Sequence, residues 1–286
     1  LAAGSAVLAP DPSRNVSSLL ALMAVILLSG ILLLWYAFRN RTVRARQARE
    51  TGINVRETAQ VGVDFFKNVP LFGYLAIAML LAGLSLTVVE YHFFFTAEQS
   101  VANSLQFQAF YGTYKMALIL TILLSQWLVA GRLLRRVPIK STFLALPAAL
   151  VVAVGLLLAA PGLMGAAAGR FLARWMQRAW DELARKALQG LVPDERRGRI
   201  STIMDSYFYT VATMIGCLIL GGLLLAAGLG WLPDGTVVTI YLLVAALAAI
   251  GAVWASLHVR SVYDKSLLDW RLARSRRKSM LDGIEF

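Results

Sequence analysis

In this chain of 286 residues, 58% are hydrophobic and the mean hydropathy is +0.66. Several apolar runs exceed the ~18 residues that mark a spanning helix, which excludes an ordinary water-soluble domain. The net charge of +12 does not point to nucleic acid, because the basic residues cluster in short segments between the apolar runs, where membrane orientation requires them.

Residues 1–16 are small and polar, contain Pro10, Asp11 and Pro12, and read as an extracytoplasmic segment. The chain opens on Leu1 without a basic n-region, which argues against a signal peptide and suggests a fragment or a processed chain. Residues 17–38 form the first expected span, roughly 33 Å as a helix, closed by the interfacial aromatics Trp35, Tyr36 and Phe38. Residues 39–69 carry Arg39, Arg41, Arg44, Arg46, Arg49, Arg56 and Lys67 and are expected to be a cytoplasmic connection. A six-helix bundle is then expected over 70–259. Its first span, 70–95, opens at Pro70 and holds Glu90 near its far end. No Lys or Arg occurs in 96–106. The span 107–131 carries Lys115 and is followed by Arg132, Arg135, Arg136 and Lys140; the span 141–160 ends at Pro161-Gly162.

Parity decides the next stretch. The chain is outside at Gly162, and the next basic cluster, Arg196, Arg197 and Arg199, belongs inside. Residues 163–190 must therefore cross the membrane although they carry Arg170, Arg174, Arg178, Asp181, Glu182, Arg185 and Lys186. The alternative is an amphipathic helix on the outer surface. Gly165 and Gly169 form a GxxxG step that permits close helix approach and favours the crossing. The next span, 200–228, has Asp205, Tyr207 and Tyr209 in its first turns and Gly216, Gly221 and Gly222 further along. Pro233-Asp234-Gly235 reads as an outer turn, and 236–259 as the last span. Residues 260–286 form a basic cytoplasmic tail with a short surface-lying amphipathic helix around Leu267, Leu268, Trp270 and Leu272. The expected fold is all-α: a polytopic transmembrane bundle of about seven spans, N-terminus outside and C-terminus cytoplasmic.

The stretch LSLTVVEYHFFFTAEQSVANSLQFQAFYGTYKMALILTILLSQWL resembles the seventh and eighth helices of the nucleotide (ATP/ADP) transporter family, a relative of the major facilitator superfamily. Within it, VVEYHFF is similar to the family's Val-Glu-x-x-Trp-Lys stretch, and LLSQWL to its Leu-Leu-Ser-Gln run. AWDELARKALQGLVPDERRGRISTIMD likewise resembles the family's Phe-Asp-Pro-x-Lys-Glu-Met-Ala-Tyr-x-Pro-Leu stretch, its Lys-Gly-Lys and its downstream Asp. The resemblance covers about 70–260. It implies the C-terminal half of a major-facilitator-type transporter preceded by its sixth helix, residing in a bacterial cytoplasmic (inner) membrane and handling nucleotide-like anions. Residues 39–69 would match the loop between the two halves. Glu90 and Asp181 match the family's acids, but its lysine in the first motif falls on Phe94, and its Lys and Glu in the second fall on Ala184 and Arg185.

The residues themselves offer paired readings. Arg170, Arg174 and Arg178 recur every fourth position, so a helix places them on one drifting stripe. Such cations within a membrane must face protein or water, and guanidinium forks suit phosphate and carboxylate groups. Either they bind an anionic substrate, or Asp181 and Glu182 neutralise them locally. From Arg170 to Lys186 five cations face two carboxylates, leaving three over. Glu90 and Lys115, on consecutive antiparallel spans, are either a gating, coupling or substrate-contacting pair, with Glu90 as a proton carrier, or a structural interhelix pair. Asp205 with Arg196, Arg197 and Arg199 is either an inner-side latch or part of a solvated loop. Asp181, Glu182, Arg185 and Asp205 are the candidates for gating or structural pairing. Cys217 stands alone, and His92 and His258 belong to no ligand cluster, so neither a metal nor a cofactor is implied. Without a Walker loop, a GxSxG motif or a metal cluster, no enzyme is expected. The expected partners are the lipid bilayer, an anionic small molecule, and an N-terminal transporter half or other membrane subunits. The rival to transport is a non-transporting scaffold or subunit built on the same fold.

Overall fold

The computed structural model describes residues 24–39 and 70–130 apart from a few single positions, then 139–189, 198 and 201–282. The expected segment 1–16, most of the connection 39–69 and the cluster Arg196, Arg197 and Arg199 lie outside the described residues. So do the side chains of Arg132, Arg135, Arg136 and Lys140 and of the tail after Tyr263. Among the described residues the regular secondary structure is helical throughout. The elements are α1 (24–36), α2 (Pro70–Ser100), α3 (Ser104–Ser125), α4 (Ala145–Ala159), α5 (Leu163–Met176), α6 (Glu182–Gln189), α7 (Phe208–Gly228) and α8 (Asp234–Asp282). Three single π-helical turns join the series: Gln126–Ala130 after α3, Gln177–Asp181 between α5 and α6, and Ile203–Tyr207 leading into α7.

Among the described residues, four helical stretches are long and apolar enough to cross a bilayer: Pro70–Ser100, Ser104–Leu128, Ile203–Gly228 and Gly235–Tyr263. The chain is thus a multi-pass, all-α membrane bundle. The shorter Ala145–Ala159 is apolar as well. The α5–α6 stretch does not join the four, because its charges break the apolar run.

The chain divides into two compact units. One comprises residues 1–54 and 101–119, and therefore contains α1 and most of α3. The other comprises 55–100 and 120–286, and contains α2 and α4–α8.

The larger unit is built around α2. Pro70 opens this helix at a position where its missing N–H costs nothing. Its spanning window is 61% buried, against 17% for the window of α7. Three apolar clusters stack along it: Leu71, Phe72, Leu75 and Met79 with Leu188, Met204 and Tyr263; Ala82 and Leu86 with Leu150, Ala173 and Ala249; Val88 and Val89 with Leu157, Leu220 and Tyr241. Alternating large and alanine positions let α8 lie along α2 for most of its length.

Glycines set the closest approaches. A methyl group on Gly83 would stand 2.7 Å from the Ala212 Cβ, and one on Gly216 3.0 Å from the Thr87 Cγ2, so α2 and α7 meet backbone to backbone. One on Gly169 would stand 3.0 Å from the Ala153 carbonyl, which places the GxxxG step of α5 against α4. Hydroxyls in these helices bond back to their own backbone, as Thr87 does to Gly83 O at 2.8 Å and Thr213 to Tyr209 O at 2.8 Å. That local bond satisfies a polar group where no water is at hand.

The turn expected at Pro233-Asp234-Gly235 lies earlier. Gly230 adopts φ 77°, the left-handed conformation that ends α7. Its N–H bonds Ala227 O at 2.8 Å and that of Trp231 bonds Ala226 O at 2.9 Å, the two closures of a Schellman motif. Pro233 O then accepts from Thr236 N at 2.9 Å, so Asp234 and Gly235 already belong to α8. The backbone of α8 continues without a break to Asp282, where a separate surface helix is expected from the sequence.

Gly83→Leu is expected to lower the thermal unfolding midpoint of the detergent-purified protein, by overpacking worth about 1–3 kcal/mol. Gly155→Ala, where an added Cβ meets nothing within 4 Å, should leave the midpoint unchanged or raise it. Equal midpoints for the two variants would contradict the close contact of α2 and α7.

Candidate functional site: a buried ionic network

Six of the charged candidates pair inside the larger unit. Glu90, on α2, accepts from two arginines of α5: Arg170 Nη2 reaches Oε1 at 2.9 Å, and Arg174 Nη2 bonds Oε2. The arginines are four residues apart, one helical turn, and so stack on the same side of α5 and divide the carboxylate between them. The Arg170 side chain is 5% exposed, and its guanidinium carbon lies 4.5 Å from the centre of the Phe93 ring and 4.8 Å from that of Phe94. Aromatic faces attract the cation and fix its plane. Arg174 is steadied by a second bond, Nη1 to Gln177 Oε1 at 2.8 Å.

A second cluster lies about two turns further on. Asp181 and Arg185 are each 7% exposed and pair at 2.9 Å, and Arg185 Nη1 reaches Asp205 Oδ1 at 3.2 Å. The Tyr209 hydroxyl donates to Asp181 Oδ2 at 3.0 Å, and its ring lies 5.0 Å from the Arg185 guanidinium. Gln189 Nε2 donates to Asp205 at 3.0 Å, and Ser201 Oγ reaches both Gln189 Oε1 and Asp205 Oδ2. Two polar clusters therefore lie along this stretch: Glu90 with Arg170, Arg174 and Gln177, and Asp181 with Arg185, Tyr209, Asp205, Gln189 and Ser201.

The π turn at Gln177–Asp181 explains why the two clusters face different neighbours. In an uninterrupted α-helix Arg174 and Asp181, seven apart, would share a face. A π turn inserts one residue and rotates the downstream helix by roughly 100°. Arg170 and Arg174 are thus turned to α2, and Asp181 and Arg185 to the start of α7. Arg178, expected on the same stripe, falls in the π turn and is exposed, and its backbone carbonyl accepts from Gln126 at 3.3 Å. Trp175 Nε1 donates to Ser125 Oγ at 2.8 Å, tying α5 to the end of α3.

The charge count along the sequence changes accordingly. Counted alone, the segment has three cations over; in the fold Glu90 and Asp205 join from other helices. Three guanidiniums, of Arg170, Arg174 and Arg185, stand against three carboxylates, of Glu90, Asp181 and Asp205. Glu182 and Lys186 pair at 3.6 Å on the exposed side. Glu90 thus pairs with Arg170 and Arg174 where Lys115 was one expected partner. Lys115 belongs to the smaller unit, its ammonium 6.0 Å from the Tyr111 ring. Asp205, considered with Arg196, Arg197 and Arg199, is held by Arg185 and Gln189, and those three arginines lie outside the described residues. Gln177, Gln189 and Ser201 are not singled out by the sequence; their one signal is polarity at helical spacing from the charges. Among the described residues no group of three or more His, Cys, Asp or Glu side chains is placed to hold a metal ion.

Compared with protein-family models, with curated proteins and with solved structures, the chain matches none. The resemblance to nucleotide transporters therefore rests on the motifs that carry it.

Arg185→Leu leaves Asp181 buried beside an unmatched network and is expected to cost about 3–5 kcal/mol. Arg178→Ala, at an exposed position, should stay within about 0.5 kcal/mol of the parent protein. The double variant Asp181→Leu/Arg185→Leu should recover a large part of the loss, because apolar packing can replace a buried pair. Thermal midpoints in one detergent compare all three, and indistinguishable values for Arg185→Leu and Arg178→Ala would dismiss the network as a stabilising feature.

Proposed function

We propose that the chain is a secondary-transporter-like membrane protein that binds an organic or phosphorylated anion on Arg170 and Arg174 and moves it by alternating access. The observation that carries this reading is the fork of two guanidiniums on one carboxylate. Arg174 is 24% exposed and Glu90 29%, so the donors are fixed yet approachable. Two guanidiniums one turn apart suit a phosphoryl or carboxylate group as well as they suit Glu90. In this reading the chain catalyses no reaction and works against a partner half or other membrane subunits in a bacterial inner membrane.

Seven crossings belong to the same proposal, with the N-terminus of this chain outside and residues 39–69 and 260–286 cytoplasmic. It requires 163–189 to cross. In support, α5 and α6 with their π turn are about 40 Å long as a helix, enough for the hydrocarbon core. Their buried charges, Arg170, Asp181 and Arg185, are engaged with protein groups, as intramembrane charges must be.

A second reading has its own observation. Three-for-three compensation is what a structural ionic core needs, and it favours a non-transporting scaffold or subunit that uses the bundle as a docking frame.

The test is binding of ATP, ADP and inorganic phosphate to the purified full-length protein, beside Arg174→Ala. Saturable binding that weakens at least about tenfold, or ~1.4 kcal/mol, in the variant is the expected result. Absence of binding for all three anions, with a folded variant, decides for the scaffold.

A further inference from the structure

Glu90 occupies the position that an anionic ligand would take, and the groups around it differ in freedom. Arg170 packs against the Phe93 and Phe94 rings, and Arg174 is tied to Gln177. The donors are therefore fixed, whereas Glu90 holds its place through the arginines themselves, one to each carboxylate oxygen. An incoming anion can take these donors only by displacing that carboxylate.

We propose that anion binding at Arg170 and Arg174 is coupled to uptake of one proton by Glu90, which leaves the arginines as the anion arrives. This rests on the anion-binding reading above and adds its coupling. No bond other than the carboxyl O–H forms; the proton comes from solvent, and the pair of arginines exchanges one anionic partner for another. Two charges of one sign cannot share the fork, and a carboxylate stripped of its counterions beside apolar walls is neutralised by protonation. The walls are apolar: Leu86 and Phe93, one turn to either side of Glu90 on α2, are both buried.

Within the larger unit, the described cations that act on Glu90 are these two arginines. The helices packed against α2 are α4, α5, α7 and α8. The charged groups of α5 that act on Glu90 are Arg170 and Arg174. Helix α4 contains no titratable residue. On α7 the titratable groups are Tyr209, bonded to Asp181, and Cys217, which is exposed. On α8 at the depth of Glu90 stands Tyr241, bonded to His92 Nδ1 at 2.8 Å. On α2 itself Tyr91 and His92 are one and two residues away, positions that do not face Glu90 on a helix, and Glu98 bears the same sign.

The experiment is calorimetric titration of ADP into the purified full-length protein in two buffers of different ionisation enthalpy, which reads the protons taken up per ligand. The Glu90→Gln variant is titrated in parallel to subtract protons carried by ADP. Wild type should take up about one proton more than the variant, with an affinity that weakens up to about tenfold per pH unit above the range where the complex holds its proton. Glu90→Gln should lose that pH dependence. Equal proton counts in both would overturn the coupling and leave the anion site standing. Absence of ADP binding in both would overturn the site and the coupling together. Should Glu90→Gln fail to fold, the two-buffer count on wild type, corrected by titrating ADP alone, still decides between about one proton and none.

Discussion

An arginine packed in an apolar interior needs a partner, and in this bundle the partners come from three different places along the chain. Glu90 lies 80 residues before Arg170, and Asp205 lies 20 after Arg185. Placing α5 and α6 against α2 and the head of α7 gives each of the three guanidiniums a carboxylate. Any other placement would strand charge in an apolar interior at a cost of several kcal/mol per ion. The ionic network therefore fixes which helices are neighbours and in what register. The apolar clusters along α2 supply cohesion with less directional demand, since apolar contacts between helices tolerate sliding in a way that a shared carboxylate does not.

The same requirement accounts for the irregular helices. Gln177–Asp181 and Ile203–Tyr207 are π turns, and they contain Asp181 and Asp205, two of the three carboxylates. A π turn widens the helix and is tolerated mainly where the displaced residue is used. Here it aims one helix at two neighbours. The arrangement joins local backbone geometry to two polar clusters along the same helix.

The helical class and the apolar segments were legible from the sequence because long apolar runs admit few alternatives. Glu90, Arg170, Arg174, Asp181, Arg185 and Asp205 were legible as well, since charges in such runs stand out. Their pairing was legible only where it is local, as in Asp181–Arg185 and Glu182–Lys186 at four-residue spacing. Local spacing suggested Lys115 for Glu90 and an uncompensated stripe for the arginines, and neither spacing nor periodicity reports a contact 80 residues away. Arg178 illustrates the second limit: a four-residue repeat implies one face only while the helix stays regular, and nothing in QRAWD announces a π turn. The turn after α7 shows a third. Pro233-Asp234-Gly235 carries the stronger turn composition, but the backbone reverses at Gly230, because the Schellman closure satisfies the last carbonyls of α7 first.

The charge balance of the network has an electrical consequence. A single charge moved through the whole membrane field gains or loses about 2.3 kcal/mol per 100 mV. The six paired groups, three of each sign, sum to zero. Glu90, however, belongs to α2. If α5, α6 and the head of α7 shift as a block past α2, the block carries Arg170, Arg174, Arg178, Arg185 and Lys186 against Asp181, Glu182 and Asp205, two positive charges over. A membrane potential would then do work on the block, and its movement would cost a different amount in an energised and in a depolarised membrane.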